Sequence, residues 1–590
     1  LTITPKDLDP NFKWEITARP EADFLQRCFD CGSCAGICPV SERYPEFDPR
    51  RIIHQIKVGL KEKLLSSSAI WYCTHCDTCA FCCPQEVSFS NIIDVLREMA
   101  LEQGYADPEI YQIWGTGPCR AACPANIRIP GFISAILQGK YAEGMQLIKK
   151  DLPFPGICGR VCPHPCEANC NRGRLDEPLD IMHLKRFLAD ASLGGVDLGT
   201  PLTKEKRTEK VAVIGSGPAG LTAAYYLALK GYRITVFEKA PVAGGMMALG
   251  IPAFRLPRDI LHREISEIEA LGVELKLNSE VGRDVPFERL QEEFDAIFIS
   301  VGLHRAAKLG LPGEEEMPGV LDGITFLREV NLGQPPEFSG RVAVIGGGNV
   351  AVDCARSALR LDYGPVTMLY RRARDEMPAY SEEVENALHE GVEIQFLTAP
   401  LALEGKDGKV TGLTCQRLEL GEPDASGRRR PVPVPASEFT FPCEVVITAI
   451  GQAADQAFYD TVAGVAISGK NLLEVDPVTL STAVPGIFAG GDIVTGPNTV
   501  VAAIAAGKEA TISIDRYLKG QDLHQGRRKY WQGLATVPEG VEPQPRVAMP
   551  CLPMAQRLRT FKEVELGFTE EQARQEAARC SRLCGVQKKP

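Results

Sequence analysis

From residue 209 onward, short apolar runs alternate with longer stretches of helical length. "KVAVI" precedes "PAGLTAAYYLALKG" and "RITVFE" follows it; "RVAVIG", "NVAVDCARSALRL" and "VTMLYRR" repeat the order; "GIFAGGD" leads into "NTVVAAIAAGKEA". Apolar runs of strand length predict strands buried on both faces, and the helical stretches between them predict the crossovers of parallel sheets. The chain before residue 200 reads differently. Stretches such as "PEFDPRRIIHQIKVGLKEKLL" have helical periodicity, and short loops dense in Cys, Pro and Gly part them. A helical front and an α/β remainder are expected.

Length and composition bound this picture. At 590 residues the chain is too long for one core, and roughly three or four domains are expected. A formal net charge of −11 argues against a nucleic-acid partner, which would need clustered basic surface. No apolar run is long enough to span a bilayer. The start "LTITPKDLDPNFKWEI" has no charged region followed by an apolar one, so no secretion signal and a cytoplasmic location are expected. Cysteine is the anomaly, with 21 residues, most of them in tight clusters. In a long acidic chain with nucleotide-binding motifs, such clusters predict iron–sulfur ligation in a reducing compartment.

The first cluster is "RCFDCGSCAGICPV", with Cys28, Cys31, Cys34 and Cys38; the second is "WYCTHCDTCAFCCPQ", with Cys73, Cys76, Cys79 and Cys83. Both read C-x2-C-x2-C-x3-C-P, the run in which three thiolates hold one [4Fe–4S] cluster and the fourth reaches the neighbouring one. The expected sets are therefore Cys28, Cys31, Cys34 and Cys83, and Cys38, Cys73, Cys76 and Cys79. Cys82 is spare and reads as a packed thiol. A zinc reading is disfavoured, because zinc sites rarely use two such runs. The stretch between the runs predicts a helix pair. Further on, Cys119 and Cys123 precede "ICGRVCPHPCEANCNRG", which holds Cys158, Cys162, Cys166 and Cys170. On one straight helix these four would span roughly 18 Å, too far for one cluster, and Pro163 and Pro165 break the helix. Six cysteines here complete one cluster and leave two ligands stranded.

The nucleotide turns come next. Gly215, Gly217, Pro218, Ala219 and Gly220 join a strand to a helix, and Glu238 and Lys239 end the second strand, with Gly245 beyond. Glycines there let the backbone approach a pyrophosphate at the helix N-terminus, and an acid at the second strand end accepts from ribose hydroxyls. A second copy has Gly346, Gly348, Asn349, Val350 and Ala351 at its turn, but Arg371 and Arg372 at its strand end. An acid would repel the extra phosphate of NADP, whereas a guanidinium pairs with it. The arginine run Arg428–Arg430 is flanked by turn residues and prolines and reads as a solvated hairpin tip. Gly491, Asp492 and Thr499 mark a late return of the first nucleotide domain, before a helix of small residues that can bring its N-terminus near a flavin.

These stretches, with "CPANIRIPGFI", "GGMMALGIPAFRLP" and "YRRARDEMPA", resemble the small, NADPH-oxidising subunit of glutamate synthase from about residue 106 to 520. Relatives of that kind are the N-terminal half of dihydropyrimidine dehydrogenase and the large subunit of bifurcating ferredoxin:NADP oxidoreductase. The first hundred residues resemble the small iron–sulfur subunit of heterodisulfide reductases, mainly through the two cysteine runs. The resemblance implies FAD in the first nucleotide domain, NADP(H) in the second, and two [4Fe–4S] clusters in the helical region. It implies Cys123, Cys158, Cys162 and Cys166 as one ligand set. The other set would join Cys119 and Cys170 to a C-x2-C pair that this chain lacks, having "EIYQIWGTGP" instead. The tail "TEEQARQEAARCSRLCG" predicts a helix opened by a Thr569–Gln572 capping box and closed near Gly585. Cys580 and Cys584 would share a face of it, roughly 6 Å apart. A fourth cluster held by Cys119, Cys170, Cys580 and Cys584 is expected.

The expected architecture is multidomain. Residues 1–105 form an α-helical two-cluster ferredoxin domain and 106–205 a helical iron–sulfur domain. Two α/β dinucleotide-binding, Rossmann-like domains follow, FAD-binding at 206–335 and 445–525, with the NADP(H)-binding domain at 336–444 inserted. Residues 526–590 form the tail. Four [4Fe–4S] clusters, FAD and NADP(H) are the expected cofactors. Their chemistry needs no side-chain acid or base, so no catalytic residue is named. The expected function is electron transfer between NADP(H) and a partner protein docking near the ferredoxin domain of a hetero-oligomeric complex, and bifurcation at the flavin is compatible with the resemblance. A glutamate synthase small subunit and a non-catalytic electron-transfer scaffold are alternatives on the same residues.

Overall fold

A computed structural model describes residues 3–19, 22–105, 117–192, 206–423, 427–462, 464–524, 527 and 542–580. The chain divides into two compact units, Leu1–Pro201 with Gly526–Pro550 and Gly567–Pro590, and Leu202–Gln525 with Cys551–Leu566.

The first unit is helical throughout its described residues. In its N-terminal part, helices Pro49–Val58 and Lys61–Leu65 separate the cysteine runs, as the helical periodicity of that stretch predicts. Asp48 caps the first of them by accepting from the N–H of Arg51, and Gly59 ends it with a left-handed φ of 87°. Their apolar faces close on helix Phe89–Glu102 through Ile52, Ile53, Ile56, Leu64, Ile92 and Leu96. Helix Ile129–Leu137 then packs on the short helix Thr78–Cys82, so the second cysteine run is walled by the following helices of the same unit. The Thr78 and Ser134 hydroxyls meet across that contact at 2.6 Å. Buried Arg128 reaches Asp77 at 3.4 Å and Asn91 at 2.9 Å.

The second unit holds two parallel sheets. One is ordered Ile487–Ala489, Ala296–Ile299, Lys210–Ile214, Arg233–Phe237, Glu274–Lys276. The other is ordered Val320–Asp322, Val445–Thr448, Val342–Ile345, Val366–Leu369, Glu393–Gln395. The second sheet thus takes two strands, at 320–322 and 445–448, that the expected boundaries gave to the first nucleotide domain. The strand Val320–Asp322 has only three residues, too few to carry a pattern, so the boundary reads late from sequence. Strands Arg305–Ala306 and Gln452–Ala453 pair antiparallel where the chain leaves and re-enters the first sheet's domain. A three-stranded antiparallel sheet, Thr398–Lys406, Lys409–Pro423 and Arg429–Pro442, extends the second domain.

Candidate nucleotide and iron–sulfur sites

The first Gly-rich turn lies between strand Lys210–Ile214 and helix Pro218–Leu229. Gly215 has φ +98°, and a Cβ there would stand 2.6 Å from the Ser300 carbonyl oxygen. A Cβ on Gly220 would stand 2.1 Å from the Gly215 carbonyl oxygen, so this glycine serves helix–strand packing, and it is not among the residues lining the cavity beside it. Gly217 has nothing within 4 Å of its missing side chain. That open space at a helix N-terminus is where a pyrophosphate fits. Across the turn, Glu238 is buried and accepts from the Ser216 N–H at 2.9 Å, the Ser216 hydroxyl at 2.6 Å and the Ala240 N–H at 2.8 Å. A carboxylate has further lone pairs for ribose hydroxyls.

A cavity of about 440 Å³ opens from this turn. Gly215, Gly217, Pro218, Ala219, Glu238, Lys239, Gly245, Gly491, Asp492 and Thr499 line it. Helix Val500–Leu518 presents its N-terminus there, with Thr499 capping it by accepting from the Ala502 N–H. It approaches helix Pro218–Leu229 closely because Gly507 has no side chain, and a Cβ there would lie 2.4 Å from the Ala219 carbonyl oxygen. Burial pushes the Asp492 carboxyl up to about 7, making it a hydrogen-bond donor at mildly acid pH. Burial also pushes the His304 imidazole, on the cavity wall, down to about 4, with Lys239 adding to the effect. His304 and the 279–283 wall are cavity residues that the sequence motifs do not mark, because they sit on connections and not at motif positions.

The second turn repeats the construction between strand Val342–Ile345 and helix Asn349–Arg360. Gly346 has φ +146°, with the Ala449 carbonyl oxygen 2.3 Å from where a Cβ would be. Gly348 leads into the helix as its N-cap, and beside it Asn349 Oδ1 accepts from the Tyr380 N–H at 3.0 Å. Val350 is half-buried and Ala351 is fully buried. At the strand end the two arginines part company. Arg371 is exposed, whereas Arg372 is buried and its Nε donates to the Arg429 carbonyl at 2.9 Å. The Arg372 Nε holds the arginine hairpin, which the local sequence reads as merely solvated.

The cysteine runs build two small cavities. Cys28, Cys31, Cys34 and Cys83 line one, and Cys38, Cys73, Cys76 and Cys79 the other, with Phe89 on both walls. The loops share a conformation that spacing alone does not reveal. Asp30 and Gly32 in the first run, and His75 and Asp77 in the second, all have φ between 53° and 83°. Arg97, fully buried, fixes the second loop by donating to the carbonyls of Ile70 and Cys73 at 2.9 Å. Cys82 lines neither cavity and donates to the Cys79 carbonyl.

Cys123, Cys158, Cys162 and Cys166 are buried. Helix Pro155–Val161 ends at Cys162, and a left-handed His164 turns the chain before Cys166, which is the break the prolines predict. Lys185, 4% exposed on helix Ile181–Ala191, faces this group. Burial opposes its charge, but the sulfurs of Cys162, Cys158, Cys166 and Cys123 outweigh that and raise its pKa. Burial likewise raises the thiols of Cys162 and Cys166. Four thiols gathered on a buried cation fit a metal cluster, which supplies the charge that lets them ionise.

The tail enters the same unit. Helix Glu570–Ala578 begins with the expected Thr569–Gln572 capping box but ends at Ala578, with Arg579 as its C-cap. Cys580 therefore lies past the helix, and Cys584, with which a shared helical face is expected, lies outside the described residues. The early end has a cause: Arg579 turns into the unit, where its guanidinium meets Glu576 at 2.7 Å, the Glu177 carbonyl at 2.7 Å and Asp176 at 3.2 Å. Arg172, two residues after Cys170, donates to the Arg579 carbonyl at 3.0 Å. Helix Pro118–Ala121, which carries Cys119, packs against helix Pro165–Ala168.

Among described residues no helix is long and apolar enough to cross a membrane. Residues 209–507 match the pyridine nucleotide-disulphide oxidoreductase family, 115–194 the 4Fe-4S domain II of dihydropyrimidine dehydrogenase, and 24–87 a 4Fe-4S dicluster domain. The NADP(+)-dependent formate dehydrogenase subunit beta of Moorella thermoacetica is 47% identical over 81% of this chain and 72% of its own length. The NADPH-Fe(3+) oxidoreductase subunit beta of Geobacter sulfurreducens is 40% identical over 80% and 75%. The glutamate synthase [NADPH] small chain of Escherichia coli is 34% identical over 74% and 96%. With a flavin-sized nucleotide cavity, a second nucleotide turn and cysteine-lined cavities in one molecule, the chain belongs to the pyridine nucleotide-disulphide oxidoreductase family and is an NAD(P)H-dependent iron–sulfur flavoprotein that transfers electrons.

Proposed function

We propose that this chain is the pyridine-nucleotide subunit of a multisubunit enzyme, exchanging electrons between NADP(H) and a partner protein through FAD and four [4Fe–4S] clusters. The observation that carries the reading is the exposed Arg371 at the end of the second nucleotide strand, in a chain that also holds the cysteine-lined cavities. A guanidinium there suits the 2′-phosphate that separates NADP from NAD. The relatives named as NADP- or NADPH-linked beta subunits support both the nucleotide and the multisubunit setting.

FAD is assigned to the cavity at Gly217, Glu238 and Asp492, where bound flavin would supply the exchange between a two-electron hydride and single electrons for the clusters. The chain's own residues bind and orient. Gly217 admits the pyrophosphate, Glu238 takes ribose hydroxyls, and the two nucleotide domains present their turns. Cys28, Cys31, Cys34 and Cys83 would hold one cluster, Cys38, Cys73, Cys76 and Cys79 a second, and Cys123, Cys158, Cys162 and Cys166 a third. Cys119, Cys170, Cys580 and Cys584 would hold the fourth, a set supported by the bond between Arg172 and Arg579, which joins the segments carrying Cys170 and Cys580. The partner side is placed at the first cavity, because Cys31 is exposed there and Phe29 and Ile37 present 60% and 39% of their surface.

Anaerobic titration of the purified protein with NADPH tests the reading. Flavin bleaching followed by the paramagnetic signals of reduced [4Fe–4S] clusters is expected, with NADH far less effective. Bleaching that leaves every cluster oxidised would refute the electron path.

A further inference from the structure

The arginine run at 428–430 is a motif the function above does not use. Strands Lys409–Pro423 and Arg429–Pro442 form a long antiparallel hairpin whose last paired position is Pro423 with Arg429. The start of its second strand is tied to another part of the second domain. The Arg429 carbonyl takes the Arg372 Nε–H at 2.9 Å, and the Arg429 Nε pairs with Glu376 Oε1 at 2.7 Å. Arg429 is thus latched to both ends of the 372–376 segment that follows the second nucleotide strand.

That segment is the expected wall of the adenosine phosphate pocket, and it contains an awkward charge. Glu376 is buried, and its Oε2 has no hydrogen-bond partner. A lone buried carboxylate beside a phosphate would repel it. Arg429 supplies the compensating charge. Tyr370 closes the geometry. Its hydroxyl donates to the Glu376 carbonyl at 2.6 Å, and its ring lies so near Gly347 that a Cβ there would stand 2.4 Å away. Burial raises its phenol pKa, and the charges of Arg372, Arg428 and Arg371 oppose that in part. Arg428 is exposed and directly precedes Arg429, whose bonds to Arg372 and Glu376 bring this end of the hairpin to the segment that begins with exposed Arg371.

We propose that Arg428 and Arg429, at the start of the hairpin's second strand, form the second wall of the 2′-phosphate pocket, with Arg428 contacting the phosphate and Arg429 positioning the wall by neutralising Glu376 and holding Arg372. Preference for NADP(H) over NAD(H) is then set by two segments 57 residues apart. This rests on the NADP(H) reading of the second domain and extends it from the strand end to the hairpin.

Calorimetric binding of 2′,5′-ADP and of 5′-AMP to the cofactor-loaded protein tests it, because the two probes differ only in the 2′-phosphate. R428Q is expected to weaken 2′,5′-ADP about tenfold, the loss of one charge-assisted contact, and to leave 5′-AMP unchanged. R429Q is expected to act in the same direction, with part of the loss restored in R429Q/E376Q. Binding of 2′,5′-ADP to R428Q within twofold of the unaltered protein overturns the proposal, as does an equal loss for both probes, which would mark the hairpin as structural only. R371Q separates the two levels. A loss of 2′,5′-ADP in R371Q with none in R428Q overturns the hairpin alone, whereas no loss in either overturns the NADP(H) reading beneath it.

Discussion

Asp492, half-buried, and Lys185, buried, are titratable residues at different kinds of site, and each is expected to make a measurable difference. In the nucleotide cavity, burial raises the Asp492 carboxyl from 3.8 to about 7. The folded apoprotein then holds this proton more tightly than the unfolded chain does. The contribution to stability is fully present below about pH 4 and is lost as pH rises through 7. Urea midpoints of the flavin-free protein at pH 5 and pH 8 check this. The drop from the first to the second is expected to be smaller in Asp492→Asn, which keeps the shape and cannot ionise; an equal drop would remove Asp492 as its cause. If Cys123, Cys158, Cys162 and Cys166 hold the proposed cluster, which becomes more negative on reduction, the buried ammonium of Lys185 facing them would favour its reduced form. Lys185→Met is expected to lower that cluster's midpoint by about 59 mV, a tenfold change for one electron, and Lys185→Arg to hold it nearer the original. A potentiometric titration followed by electron paramagnetic resonance reads both.

Elements differ in how far the sequence reveals them, and the difference follows from what each one needs. The two cysteine runs are legible because a cubane fixes ligand spacing locally, and the glycine turns because close backbone approach forbids a Cβ at Gly215 and Gly346. The Thr569–Gln572 capping box is legible for the same reason, as its bonds close within one turn. Lys185 is not. It follows "IMHL" on a helix that reads as amphipathic, and only its packing against helix Pro155–Val161 buries it. The two-residue pairing of Arg305–Ala306 with Gln452–Ala453 is equally silent, since two residues hold no period. The tail helix ends at Ala578 where Arg579 finds Asp176 and Glu177, contacts more than 400 residues apart in the chain. The hairpin arginines show the same limit: their surroundings in sequence are solvated, and their partners Arg372 and Glu376 come from another strand end.

At the scale of the whole molecule, the tail divides between the units: 542–550 belong to the first, 551–566 to the second, and the chain from 567 to the first again. Its return to the first unit is held by buried charge. Glu576, fully buried, accepts from the N–H groups of Asp180 and Val547 at 2.9 Å and from Arg579. Arg546 meets Glu167 at 2.9 Å and Asp180 at 3.2 Å. Removing one partner from such a network leaves the other charge buried alone, which costs several kcal/mol, so the network fixes where the chain passes even if it adds little net stability. What that precision delivers is Cys580, one residue beyond Arg579 and joined through Arg172 to the segment carrying Cys170. If the tail supplies the two ligands absent before Cys119, the protein carries about sixteen irons, four for each cluster, and C580S/C584S carries about twelve. Cys82→Ser is the control, since Cys82 lines neither cysteine cavity of the N-terminal part, and it is expected to keep the full complement. Iron and acid-labile sulfide analysis on protein of matched flavin content reads the difference. A C580S/C584S protein that still holds about sixteen irons would mean that the tail ends beside the cluster domain without serving it.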